Sequence, residues 1–176
     1  MKRTLQVLNE LEKQGVFSRY AIGGAIGATF YTEPVLTFDL DVFVANYADP
    51  DSELEDEHDV RGRPRVDCMG RVVTRPSVRA IASQCVLIEG APVQFLPAYN
   101  ALVKEALNDA QEIMYEDVPA RVLRSEYLVA IALQTGRNKD RERVRILREQ
   151  AKLDQNFLAD VLRRHQLEGK WKVWTE

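Results

Sequence analysis

The chain has 176 residues, of which 45% are hydrophobic and 29% charged, with a formal net charge of −3 and a pI near 5.6. That size suits one domain built on a single core, or one domain with a short helical appendage. The near-balanced charge excludes a nucleic-acid coat protein or a membrane-surface protein as the simplest reading.

Leu5, Leu8 and Leu11, with Val7 beside them, form one apolar stripe and predict a helix to about residue 14, stopped at Gly15. The acidic residues and the short apolar run make this start an amphipathic helix and not a secretory signal. Residues 17–22 read as a short strand running into Gly23-Gly24. The small apolar residues that follow predict a helix packed closely on a sheet, ended before Pro34. Residues 35–44 are dense in β-branched and aromatic residues and predict a strand. Its alternation puts Phe38, Leu40, Val42 and Val44 on one face and Thr37, Asp39, Asp41 and Phe43 on the other.

Residues 46–80 hold an acidic run and then an arginine-rich stretch broken by glycine and proline. Neither has a helical or strand period, so a long irregular insert is expected, which is unusual in a compact domain. Residues 84–96 carry two short apolar runs across Gly90-Ala91-Pro92, a hairpin signature. Helices follow over residues 100–110, 125–134, 138–152 and 157–164, with a short extended piece within 114–122 and Ser125 as a helix cap. Cys68 and Cys85 lack a CxxC partner and read as ordinary thiols of a reducing cytoplasm. His58 and His165 are too scattered for a zinc site. No stretch approaches 18 apolar residues, so no membrane span is expected.

Asp39 and Asp41 are the residues that invite chemistry. Two carboxylates on one face of a strand, set among Phe38, Leu40, Val42 and Phe43, would be costly to bury unpaired, and a cation is their natural partner. A Gly-Gly turn at the mouth of a helix supplies backbone N–H donors to a phosphate. Taken singly, the glycines read as a tight turn and the aspartates as edge charges. The order strand, Gly-Gly, helix, strand, Asp-x-Asp is more specific than either piece.

The stretch YAIGGAIGATFYTEPVLTFDLDVFV resembles the nucleotidyltransferase superfamily, whose signature is a Gly-Gly or Gly-Ser turn followed by a strand with Asp-x-Asp. It looks most like the minimal bacterial nucleotidyltransferases, including those related to abortive-infection toxins. SEYLVAIALQTGRNKDRERVRIL is similar to the helical segment of those proteins, with its Arg-x-Lys-Asp run at Arg137, Lys139 and Asp140. The resemblance implies an α/β (α+β) fold: a small mixed sheet of four or five strands with flanking helices over residues 1–122, and a C-terminal helical segment over 123–176. It implies Mg2+ or Mn2+ on Asp39 and Asp41, and a nucleoside triphosphate held at Gly23 and Gly24. Lys139 would meet phosphate as a point charge, Arg137 as a fork, and Asp140 would orient either. The other reading of these three is a solvated helix start with ordinary surface pairs. Arg141, Arg143, Arg145 and Arg148 either contact a polynucleotide or pair on the surface with Glu142 and Glu149, the commoner case.

Two departures from the family pattern stand out. The third carboxylate, often the base for the incoming hydroxyl, is replaced by Gln94, which can hydrogen-bond but cannot take a proton; Glu89 is another candidate base. Residues 46–80 stand where the fold should place a regular helix, and a local reading-frame change in the gene would produce such text. The expectation is therefore a cytoplasmic Mg2+-dependent nucleotidyltransferase moving a nucleoside monophosphate to a hydroxyl of a small molecule, protein or RNA. The alternatives are a catalytically impaired nucleotide- or partner-binding protein of the same fold and a structural α/β protein without nucleotide. The resemblance also allows a cognate partner protein.

Overall fold

The computed structural model describes residues 1–37, 39–45 and 85–176. Phe38, Cys68, His58 and the stretch expected to be irregular over 46–80 lie outside the described residues.

Thirteen described elements mix helix and strand and end in four successive helices: α1 (Lys2–Lys13), β1 (Arg19–Ile22), α2 (Gly24–Ala28), β2 (Leu40–Ala45), β3 (Cys85–Ile88), β4 (Ala91–Pro97), α3 (Ala101–Asn108), β5 (Gln111–Tyr115), β6 (Val118–Val122), α4 (Ser125–Thr135), α5 (Asn138–Gln150), α6 (Gln155–Arg164) and α7 (Glu168–Thr175). The strands form one mixed sheet in the order β3-β4-β2-β1-β6-β5. β2 runs parallel to β4 and antiparallel to β1, and β1 runs parallel to β6. The fold is α/β, as the sequence predicts.

The sheet is covered on both faces, and the alternation of β2 shows how. Leu40, Val42 and Val44 join Leu5 and Leu8 of α1, together with Phe17, Tyr20, Ile22 and Val93, in one apolar cluster. Phe43 points the other way, into a larger cluster with Leu102, Leu107, Leu123, Leu128, Leu133, Leu147 and Leu158 of the later elements. Removing a large side chain from either layer costs about 2–5 kcal/mol. Polar links fasten α1: the Tyr20 hydroxyl donates to Asn9, the Asn9 amide donates to the Pro119 carbonyl, and Arg121 pairs with Glu12.

Several expectations need correction. The strand expected over 35–44 begins only at Leu40, so Asp39 precedes β2. Pro34 and the exposed Val35 and Leu36 explain this: nothing pairs with or covers that segment among the described residues. The sheet has six strands, not four or five, because residues 111–122 form a full hairpin. Its turn places Glu116 at a φ of +55°, and the missing Gly or Asn signal hides it from the sequence. Ser125 is not a cap; it is buried at the first position of α4, and Arg124 holds the cap position. The tail that carries both tryptophans is helix α7, with Trp171 and Trp174 packed against the larger cluster. No helix among the described residues is long and apolar enough to cross a membrane.

Candidate functional site

Gly24 and Asp41 meet at the entry to α2. The Gly23 amide donates to the Asp41 carbonyl at 2.9 Å, which extends the β1–β2 pairing past the end of β1. The chain then turns into α2 through Gly24 at a φ of +59°, a left-handed conformation that glycine adopts without strain. A methyl group on Gly24 would overlap the Asp41 carboxylate, so the glycine is what lets Asp41 lie against the turn. A methyl group on Gly23 would strike the Phe43 ring. Gly23 therefore shapes the corner by packing, and its amide is already committed to the sheet. The first amides of α2, at Gly24, Ala25 and Ile26, have no carbonyl one turn back within the helix.

Asp41 is partly buried on β2, and Gln94 of β4 is its Cα partner across the parallel ladder. Gln94 thus stands beside Asp41 in the sheet, and Cys85 of β3 is next in the same row. Asp39 is exposed on the segment leading into β2, where the Thr37 hydroxyl donates to its Oδ1 at 3.2 Å. Burial raises the Asp41 carboxyl above its ordinary range, and the Asp39 charge adds to the rise. Arg143, Lys139 and Arg137 oppose it from the start of α5.

The start of α5 is built around Asp140. Gly136 ends α4 in a left-handed conformation at a φ of +78°, freeing the chain to turn into α5. Asp140 is fully buried. It accepts from Arg137 Nε at 2.7 Å and from a second guanidinium nitrogen of Arg137 at 3.1 Å, a two-pronged pair. It also accepts the Arg137 backbone N–H at 3.2 Å, and Arg143 approaches its other side at 3.2 Å. Hydrogen bonds and charge from Arg137 outweigh the effect of burial and hold the Asp140 carboxyl below its ordinary range. Lys139 is exposed and makes no ion pair among the described residues.

A cavity of about 580 Å³ opens between these parts. Gly24, Asp39, Asp41 and Gln94 line it, together with Arg137, Lys139, Asp140 and Arg143 at the start of α5 and Leu128 and Ile131 of α4. Of the residues picked out from the sequence, Asp39, Asp41, Gly24, Gln94, Arg137, Lys139 and Asp140 all border this space, whereas Gly23, Arg141, Arg145 and Arg148 do not. Glu89, the other candidate base, lies away from it, paired with Arg3 of α1 at 3.9 Å. Arg143, which the sequence grouped with surface arginines, borders it too, and its three-residue spacing from Asp140 was the available signal. Tyr99, between β4 and α3, is a further lining residue with no motif to announce it. Arg145, in contrast, pairs with Glu142 at 2.6 Å and Glu149 at 2.7 Å on the exposed side of α5.

Among the described residues no group of three or more His, Cys, Asp or Glu side chains could hold a metal ion. Asp39 and Asp41 are two hard oxygen donors beside open space. That set fits magnesium of the kind held by one or two carboxylates, with its remaining ligands from substrate phosphate and water.

No protein-family model matches the chain, and no curated protein compared with it matches. A solved structure similar to this one is the crystal structure of an antigenic nucleotidyltransferase-like protein from Paracoccidioides brasiliensis. The two are 11% identical, the match covers 97% of this chain and 93% of that one, and the TM-score is 0.45.

Proposed function

We propose that the chain is a magnesium-dependent nucleotidyltransferase that moves a nucleoside monophosphate from a nucleoside triphosphate to a hydroxyl acceptor. One observation carries this reading: a carboxylate pair and a cationic helix start line one cavity, close enough for Arg143, Lys139 and Arg137 to act on Asp41, with a glycine corner against that partly buried carboxylate. A metal-bound triphosphate has this polarity, with a dication at one end and anionic oxygens along its length. Asp39 and Asp41 would hold the metal, which would neutralise phosphate charge and polarise the α-phosphorus. Burial and, after it, the Asp39 charge raise Asp41, and a cation at the pair would relieve both.

The chain's other residues position and neutralise. Arg137 presents a flat guanidinium whose orientation is fixed by Asp140, and Arg143 is steadied by the same carboxylate. Lys139 adds an unpaired charge on the same rim. Phosphoryl chemistry of this kind asks little more of a protein than alignment and charge. In the transfer, the acceptor oxygen bonds to the α-phosphorus, the α–β anhydride bond breaks, pyrophosphate leaves with the electron pair, and the hydroxyl proton passes to water or to the departing pyrophosphate.

A second reading has its own observation. Gln94 is the cross-strand partner of Asp41, on the strand where the family would carry its third carboxylate. A glutamine there can hold an acceptor hydroxyl but cannot remove its proton. A nucleotide-binding protein with little or no transferase activity is the result if no other base serves.

Thermal shift with ATP, GTP, CTP and UTP in the presence of Mg2+ tests the site. Stabilisation of the wild type and its loss in Asp39→Asn/Asp41→Asn support it; no response to any of the four removes it. Pyrophosphate release with a cell-extract acceptor then separates the enzyme from the binder. Gln94→Glu raising that release would mark the missing base as the limit.

A further inference from the structure

We infer that Tyr99 is the platform on which the base of the nucleotide stacks, and so the residue that makes the cavity select nucleotides over bare polyphosphate. This rests on the nucleotide-site reading above.

Tyr99 differs from the other described tyrosines. Tyr20, Tyr31 and Tyr127 each donate a hydroxyl proton to a partner inside the fold, and Tyr115 packs edge-on against Phe30. Tyr99 is 59% exposed and has no hydrogen bond or ring contact among the described residues. Its backbone is nevertheless held on both sides. Ala98 N–H donates to the Val44 carbonyl at 3.0 Å, and the Asn100 side chain accepts from Val103 N–H at 2.8 Å and donates to Gln134 at 2.6 Å. A rigid mount that presents a bare aromatic ring suits a ligand, because the entropy of ordering the platform is already spent in folding.

Its surroundings fit a nucleobase. Tyr99 borders the same cavity as the charged groups, and Arg137 lies near enough for its charge to act on the phenol. Leu36, 90% exposed, and Val35 border the cavity as well. A nucleotide is polar along its phosphates and flat and apolar on its base faces, and the cavity is lined by side chains of both kinds. The threonine hydroxyls on the wall have their protons engaged: Thr32 with the Ala28 carbonyl, Thr37 with Asp39, and Thr135 with the Ile131 carbonyl. The base would therefore be held by its face more than by its edge, so the site should discriminate weakly among the four bases.

Calorimetric titration of the full chain with Mg·ATP and with Mg·tripolyphosphate tests this. The wild type is expected to bind ATP the tighter of the two. Tyr99→Ala should weaken ATP about tenfold or more, the usual effect of removing a stacking ring, and leave tripolyphosphate unchanged, while Tyr99→Phe keeps wild-type affinity for both. Equal wild-type affinity for the two ligands, equal weakening of both in Tyr99→Ala, or a Tyr99→Phe as weak as Tyr99→Ala would each overturn the stacking role and leave the phosphate site standing. If the wild type binds neither ligand, the nucleotide site falls, and the platform with it.

Discussion

Asp140 draws two guanidinium groups around its carboxylate and Glu105 a guanidinium and an imidazole, yet the two clusters do different work. Glu105 of α3 accepts from Tyr127 of α4 at 2.7 Å, from Arg164 of α6, and contacts His165 Nε2 at 2.9 Å. It ties three helices together. Asp140 gathers Arg137 and Arg143 from its own neighbourhood, three residues away on either side, and ties nothing distant. Its cluster faces the cavity with Arg137 still about half exposed. The chemistry is alike in both, and what the partners still face decides the role. Cations that close on other helices serve the fold; cations left facing open space serve a ligand.

Removing each carboxylate should separate these roles. Glu105→Ala should destabilise the protein by about 2–4 kcal/mol, because it strands the buried Tyr127 hydroxyl and leaves Arg164 to Asp160 alone. Nucleotide affinity, measured on the remaining folded protein, should hold. Asp140→Ala should cost less stability, about 1–3 kcal/mol, but should weaken nucleotide binding tenfold or more by loosening both guanidinium groups. Urea denaturation and calorimetric titration on the same samples give both numbers. Equal losses of binding in the two variants would erase the distinction.

Acidification offers a reagent-free version. Burial pushes the Glu105 carboxyl up, but hydrogen bonds from Arg164, Tyr127 and His165 prevail and bring its pKa down to about 2. Its folded pKa lies below the unfolded value, so its stabilisation is complete above about pH 4.5 and fades as pH falls toward 2. Urea midpoints between pH 5 and 3 should drop more steeply for the wild type than for Glu105→Gln.

Asp41 has the opposite sign. Burial and the Asp39 charge raise its folded pKa, so the ionised carboxylate costs stability at neutral pH, and that cost is relieved as pH falls. Asp41→Asn should therefore raise the denaturation midpoint slightly at pH 7 without metal, while abolishing the nucleotide response. A less stable Asp41→Asn would mean that the carboxylate holds the corner together. The smallest effect belongs to Arg145. Its exposed pairs with Glu142 and Glu149 make Arg145→Ala silent in both denaturation and nucleotide binding, and a clear loss of binding would move that face of α5 into the site.

The sequence by itself determined the mixture of strands with a helical C-terminal run, the glycine corner ahead of an acidic strand, and the start of α5 at Asn138. These are local matters: apolar period, turn residues and backbone freedom are written into consecutive positions. The 111–122 hairpin escaped because its turn uses Glu116 in a left-handed conformation with no glycine to mark it. Only the tertiary structure decided that Asp41 packs against Gly24, that Gln94 lies beside Asp41, that Asp39 stands off the strand, and that Arg143 and Tyr99 reach the same cavity. Each of these depends on strand order and helix packing between positions far apart in the chain, and a one-dimensional pattern does not encode which distant faces will meet.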